Sequence, residues 1–139
     1  MKSIYKISMI ILLIIFIGVN VSSQNINESD DTTLYYEVDK YPVLVTDSCE
    51  YELNELKEFI NLNIQYPTND IDCTGKVYIS FVIEKNGAVS NKKFLRKLCP
   101  GFDENAMSVV DLMTVWKPGY KDNKPVRTVI CIPIGFMGE

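Results

Sequence analysis

Histidine is absent from this chain of 139 residues. Its absence excludes Ser-His-Asp and Cys-His nucleophilic catalysis and removes the commonest zinc ligand. The remaining candidates for acid–base chemistry are two acid pairs, Asp103 with Glu104 and Asp70 with Asp72. Neighbouring residues on a helix point in different directions, and the second pair falls in a loop without an evident pocket. The sequence therefore predicts a non-enzymatic protein with no catalytic residue and no cofactor.

The chain also has fewer positively charged than negatively charged residues. The chain has 14 lysines and arginines against 18 aspartates and glutamates, a formal charge of −4. Residues 1–23 contain two lysines and no acid, so the charge would fall from −4 to −6 if they were removed. This balance argues against a nucleic-acid partner and against binding to an anionic membrane surface.

The first 23 residues have the pattern of an export signal. Lys2 and Lys6 precede an apolar run over residues 7–19, and Val21-Ser22-Ser23 offers small residues for cleavage. The run is shorter than the roughly 20 residues that cross a bilayer comfortably. We therefore expect a cleaved signal peptide and a periplasmic protein. The alternative is an uncleaved anchor in the inner membrane, with the rest of the chain facing the periplasm.

Residues 24–50 predict a polar tether followed by a possible edge strand. Residues 24–33 are polar and acidic without apolar periodicity, as in disordered segments. Residues 34–45 are rich in aromatic and β-branched side chains, and Pro42 would confine a strand there to an edge. We expect a single domain over residues 51–139.

Periodicity within residues 51–139 predicts two helices and three strands. Two sets of apolar residues have helical spacing and predict one helix each. The first set, which ends before Tyr66-Pro67, is Leu53, Leu56, Phe59 and Ile60, and the second is Phe102, Ala106, Val109, Val110 and Met113. Alternation over 75–84 predicts a strand, Lys85-Asn86-Gly87 a hairpin turn, and residues 88–98 the partner strand. A last strand covers residues 126–136, where Pro133 predicts one unpaired side. This order is typical of an α+β fold.

Six short motifs in this order resemble the TonB C-terminal domain family, the periplasmic end of an energy transducer. The resemblance implies a small three-stranded antiparallel sheet with two helices on one face. The motifs are Gln65-Tyr66-Pro67, Gly75-Lys76-Val77, Phe81-Val82-Ile83 up to Asn86-Gly87, Asp103-Glu104-Asn105-Ala106, Trp116-Lys117-Pro118-Gly119, and the close from Pro125-Val126-Arg127 to Pro133-Ile134-Gly135-Phe136.

The resemblance also implies a binding site. In this family a short extended segment of a receptor adds as a strand along the free edge of the last strand. We expect Trp116 to fill the core. The partner-binding residues implied are Gln65, Tyr66, Val126, Arg127, Thr128, Val129, Ile130, Cys131 and Ile132.

Two functions follow as hypotheses. The first is a periplasmic adaptor in transmembrane transport and energy transduction, which binds an outer-membrane receptor or another envelope protein by strand addition. A homodimer is possible, and a membrane is involved only if the N-terminal segment stays uncleaved. The second is a disulfide-stabilised structural module of the envelope that binds no receptor.

Cysteine positions predict one disulfide. An exported chain favours disulfides, and the four cysteines include no C-x-x-C pair that would indicate a redox or zinc motif. With the turn at Asn86-Gly87, residues opposite one another should sum to about 172 or 173. Cys73 and Cys99 satisfy this rule, whereas a bulge would instead favour Cys49 as the partner of Cys73. Some of the four cysteines are alternatively free, buried thiols, and the pairing of Cys49 and Cys131 stays open.

Overall fold

The computed structural model describes residues 32–68 and 73–137. The predicted signal peptide and the pair Asp70 and Asp72 lie outside the described residues. No helix within the described ranges combines the length and apolarity needed to span a bilayer. In chain order the elements are β1 (Leu34–Tyr35), β2 (Val43–Val45), β3 (Glu50–Tyr51), α1 (Leu56–Asn63), β4 (Gly75–Ile83), β5 (Val89–Arg96), α2 (Phe102–Leu112), β6 (Trp116–Lys117), β7 (Gly119–Lys121) and β8 (Lys124–Phe136).

The main sheet is built around β4, which pairs antiparallel with β5 on one side and with β8 on the other. Two short strands enlarge it to five, because β1 pairs parallel with β8 and β7 forms a hairpin with β8. The sheet is thus larger than the three strands expected from the sequence. Strands of two or three residues are too short to show a period of two, so the pattern did not reveal them.

The core lies between one face of this sheet and the helices. Val77, Ile79, Phe81 and Ile83 of β4 are fully buried, at 0% exposure, as the alternating pattern predicts. They share one hydrophobic cluster with apolar residues of β8 and with buried residues of both helices. Each such side chain stabilises the fold by about 1.5–3 kcal/mol relative to an exposed position. Trp116 is also buried here, and its Nε1 donates to the Met113 carbonyl at 2.9 Å.

Helix α1 begins three residues later than the apolar spacing predicts, so Leu53 precedes it. The helix ends at Asn63 because Ile64 has extended dihedrals, φ −73° and ψ 135°. This stop comes before Tyr66-Pro67, where the sequence placed the limit of the helix. Leu53 instead packs, partly buried, against the core from the segment before α1.

Asp103 and Glu104, an acid pair that the sequence offers as a candidate for acid–base chemistry, lie in the first turn of α2. Glu104 accepts a hydrogen bond from the Gly101 N–H in the first turn. Asp103 is buried and its Oδ1 accepts from the Leu98 N–H at 2.7 Å. Carboxylates at a helix N-terminus satisfy free N–H groups and suit the helix dipole. Both side chains therefore support the helix.

Residues 32–55, which we call the arm, contain three short strands, whereas most of the polar tether predicted over residues 24–33 lies outside the described residues. The arm holds β1, β2 and β3, and β2 pairs with both β3 and β6 in a separate three-stranded sheet. The single edge strand expected over residues 34–45 is instead two strands in different sheets, separated by residues 36–42. β2 begins directly after Pro42 and is the central strand of its sheet, so the predicted edge position is wrong for it. Regular structure in the described residues begins at Leu34, within the segment where a strand is expected from the sequence.

The β4–β5 hairpin turns at Lys85-Asn86-Gly87, as predicted, with Gly87 at φ 83°. The numbers of paired residues sum to 172 at Ile83 and Val89 but to 174 at Tyr78 and Arg96, because β5 contains two irregularities. Two single shifts restore the original facing, since one shift alone would turn the side chains over.

The structure joins Cys73 to Cys99 by a disulfide with a Cα–Cα distance of 6.6 Å, the pairing expected from the sequence. The two cysteine numbers sum to 172, whereas the register near the open end of the hairpin sums to 174, so the two residues are not directly opposite one another. The difference is even, which is compatible with cysteines on the same face of the hairpin. The other two cysteines, Cys49 and Cys131, are free and exposed.

Candidate partner-binding edge

Strand β8 carries a long unpaired edge. β7 pairs with Lys124–Val126, and β4 pairs with Thr128–Phe136. On the side away from β4, β1 pairs only with Arg127 and Thr128. Within the described part of the chain no strand covers that side of residues 129–136, which we call the β8 edge.

The position of Pro133 indicates which backbone groups face outward. The ladder between β4 and β8 passes Pro133 without a register shift, although proline has no N–H to donate. The nitrogen of Pro133 therefore lies on the side away from β4. Because peptide groups alternate in direction along a strand, the N–H groups of Val129, Cys131 and Gly135 point outward as well. The edge thus offers unused donors and acceptors to an added strand.

A groove beside α1 borders one end of the β8 edge. Its volume is about 480 Å³, and its apolar walls come from Leu56 and Ile60 of α1 and from Phe136 and Met137. Met137 is 78% exposed, so it presents apolar surface directly at the end of the edge. The only charged residues among those lining the groove are Lys57 and Lys76.

A second hollow borders the other end, at Val129, Ile130 and Cys131. Its volume is about 760 Å³, and the arm supplies one wall. We call it the arm hollow. The arm residues that line it are Leu34, Tyr36, Tyr41 and Leu53. Leu53 also lines the α1 groove, so the two concave surfaces meet along the same edge.

An ion pair fixes the arm at the start of the β8 edge. Arg127 donates from Nε to Glu84 at 2.7 Å and from Nη2 to the same carboxylate at 3.0 Å. Its Nη1 donates to the Thr32 carbonyl at 3.0 Å, next to β1. The Arg127 hydrogen bond, assisted by one from Ser90, holds the pKa of Glu84 below its usual value despite partial burial. This clasp sets where the arm ends and the open edge begins.

The structure brings only some of the predicted binding residues to this edge. Val129, Ile130, Cys131 and Ile132 lie on it, and Cys131 is exposed. Arg127 and Thr128 are already paired with β1, and Val126 with β7. The free stretch is therefore shifted toward the C-terminus relative to the predicted residues 126–132.

Gln65 and Tyr66 lie near the far end of the edge. The ring of Tyr66, 55% exposed, packs against Phe136 with 5.7 Å between centroids. The Gln65 carbonyl accepts a hydrogen bond from Asn105 at 2.7 Å, which attaches this segment to α2. The main chain of Gln65 thus has a structural partner, while its side chain is left at the surface.

The sequence did not predict that the arm lines part of this candidate site. Leu34, Tyr36 and Tyr41 were assigned to a tether and a possible edge strand, yet they form a wall of the arm hollow. The available signal was the density of aromatic residues in 34–45, which exceeds what a solvated tether needs. The residue pattern of this segment does not predict that these side chains lie beside residues 129–131.

Taken together, the fold and its exposed edge define a protein-interaction domain. The family model described as Gram-negative bacterial TonB protein C-terminal matches residues 63–137, more than half of the chain. The protein belongs to this family. Its members are non-enzymatic domains that act in the periplasm in energy transduction and interact with outer-membrane receptors.

One solved structure that the chain resembles is the NMR solution structure of the Helicobacter pylori TonB C-terminal domain. The match has 19% identity and a TM-score of 0.44, and it covers 63% of this chain and 82% of that one. No curated protein matches the chain.

Proposed function

We propose that this protein is a periplasmic adaptor that binds an extended segment of an outer-membrane receptor, or of another envelope protein, by strand addition to the β8 edge. The observation that carries the proposal is the regular, unpaired and uncharged stretch over residues 129–136. Strand addition supplies affinity through main-chain hydrogen bonds and specificity through side-chain pockets. The outward N–H groups and the two bordering concavities meet both needs.

Length limits what the edge accepts. β1 occupies Arg127 and Thr128, and β8 ends at Phe136. A partner segment thus pairs along about eight residues, and its side chains alternate between the two faces of the sheet. We infer that Tyr66, packed on Phe136, marks the far end of this footprint.

The rival function is a structural module of the envelope, stabilised by Cys73–Cys99, that binds no receptor. Both functions require the same fold and the same disulfide. They differ in whether the β8 edge is occupied by a partner.

Amide exchange separates the two functions. Isotope-labelled protein would be titrated with synthetic periplasmic segments of outer-membrane receptors from its own organism. We expect slower exchange at the N–H groups of Val129, Cys131 and Gly135, which point outward. Ile130 and Ile132, whose N–H groups face β4, serve as internal controls and should change little. Binding that leaves the three outward amides unprotected would contradict strand addition, and no binding by any segment would favour the structural module.

A further inference from the structure

The arm hollow belongs to a part of the chain that the family match does not include. That match begins at residue 63, whereas Leu34, Tyr36, Tyr41 and Leu53 precede it. The arm's wall of the hollow therefore lies outside the matched residues, while its floor and its opposite wall lie within them. Its position and chemistry bear on which partner the β8 edge selects.

The hollow is continuous with the β8 edge. Val129, Ile130 and Cys131 line it and are also the first three residues of the free edge. Ser80 and Val82 form the floor of the hollow, on the face of β4 that points away from the core. Although they are not on the core face, they are only 5% and 4% exposed. A strand added along the edge would direct every second side chain to this face, and one of them would enter the hollow.

The walls are apolar and aromatic. Of the ten large hydrophobic side chains that are exposed in the described residues, four line this hollow: Leu34, Tyr36, Tyr41 and Leu95, at 39%, 71%, 48% and 55% exposure. Exposed apolar groups clustered in one concave place, beside polar residues, are typical of interaction sites. They suit a bulky branched or aromatic side chain.

The charge at the hollow is of one sign. Its only charged lining residues are Lys92 and Lys93, although the chain as a whole is acidic. Lys92 already pairs with Asp111, whereas Lys93 has no carboxylate partner within the described ranges. An ammonium group without a partner beside an apolar hollow favours a carboxylate in the molecule that docks there.

We propose that the arm hollow is a specificity site for the strand that docks on the β8 edge, and that it selects an extended protein segment in which a bulky apolar or aromatic residue adjoins an aspartate or glutamate. The apolar side chain enters between Tyr36 and Val82, and the carboxylate meets Lys93. This inference rests on the proposed function, since it requires a strand on the edge.

Selection from a displayed library of random eight-residue segments tests the inference on the full chain with its disulfide formed. Enriched segments should carry the apolar–acidic pair at a fixed position. Tyr36→Ala should weaken their binding about five-fold, because an exposed ring leaves the contact without unfolding the protein. Lys93→Gln should weaken it about two- to five-fold, more at low salt than at high salt, and should remove the preference for the acid.

Two matched variants serve as controls. Leu62 has the same 71% exposure as Tyr36 but lines neither concavity, so Leu62→Ala should leave binding unchanged. Lys124, an exposed lysine at the β7–β8 turn, is the control for Lys93, and Lys124→Gln should likewise have no effect.

Three outcomes would overturn the inference. Segments that protect the Val129 and Cys131 amides but lack the apolar–acidic pair would refute this inference and leave the proposed function standing. Failure of every enriched segment to protect those amides would refute both. Self-association that protects the same amides and is lost in Tyr36→Ala would assign the hollow to a second copy of the chain.

Discussion

Within the described residues the main sheet has two stretches of edge that no strand covers, one on β5 and one on β8, and they differ in almost every property that governs strand pairing. β5 carries Lys92, Lys93 and Arg96, contains two irregularities, and has Asn91 at φ 51°. β8 pairs with β4 through nine consecutive positions without a shift, and no charged residue occurs between Arg127 and Glu139. Charges and bulges are the usual means by which proteins prevent pairing at an edge.

The difference supports the proposal that a partner strand adds to β8. An exposed, regular and apolar edge strand can pair with other chains and so favours aggregation. The charges and irregularities that oppose such pairing at β5 do not occur at the β8 edge. The arm supplies the only cover within the described residues, and it stops at Thr128. Variants that change one edge or the other test whether the two edges differ in strand binding and in their contribution to stability.

The largest expected effect concerns the disulfide at the open end of the β4–β5 hairpin. Replacing Cys73 and Cys99 with serine should lower the free energy of unfolding by about 3–4 kcal/mol, because the bridge closes a loop with a sequence separation of 26. Denaturant unfolding measures the loss. The double replacement of the exposed Cys49 and Cys131 is the control and should have little effect. Equal stability of both double variants would contradict the prediction.

A lysine on β8 should make this edge resist strand pairing, as the charged residues of β5 do at theirs. Cys131 is exposed on the edge, so Cys131→Lys should leave the fold intact while its charge opposes strand addition. We expect receptor segments to bind at least about ten-fold more weakly, or about 1.4 kcal/mol, by titration calorimetry. Leu112→Lys, a comparable change at a 56% exposed position that lines neither concavity, is the control. Equal losses in the two variants would show that an added charge weakens binding wherever it is placed, and not through the β8 edge.

The sequence was most informative where elements are long and periodic. Alternation over residues 75–84 and 126–136 located β4 and β8 to within two residues at each end, and hairpin arithmetic indicated Cys73 with Cys99. These features depend on local spacing, which a single sequence displays directly.

The arm could not be predicted in this way. β1 pairs with Arg127 and Thr128, more than 90 residues away, and its two residues carry no periodicity. Its placement depends on the long-range bond from Arg127 to Thr32, which no local pattern reports. The sequence therefore indicated the last strand as the candidate edge, but it predicted neither the concave walls beside it nor the pairing of Arg127 and Thr128 with β1.

Acid should loosen the arm and lengthen the open β8 edge. The pKa of Glu84 is lowered in the folded protein, so its pairing with Arg127 stabilises the fold above the unfolded-state value of about 4.5 and is lost as the pH falls below it. The partly exposed pair should contribute about 1 kcal/mol. Relative to the intrinsic exchange rate, which itself falls as the pH is lowered, the amide protection of β1 should decrease between neutral pH and pH 4. Glu84→Gln should already show this lower protection at neutral pH and should lose no more on acidification; a pH profile like that of the unsubstituted protein would contradict the role of the clasp.

The smallest expected effect lies at the β5 edge, where Lys92 pairs with Asp111 of α2. Their side chains are 35% and 54% exposed, so water and salt screen the attraction. Asp111→Asn should lower the free energy of unfolding by no more than about 0.5 kcal/mol, and this loss should vanish at high salt. The charge of Lys92 remains in this variant, so β5 should still resist pairing and the protein should stay monodisperse in sedimentation. A loss of several times that size, or association through β5, would mean that the ion pair rather than the lysine charges and irregularities keeps this edge closed.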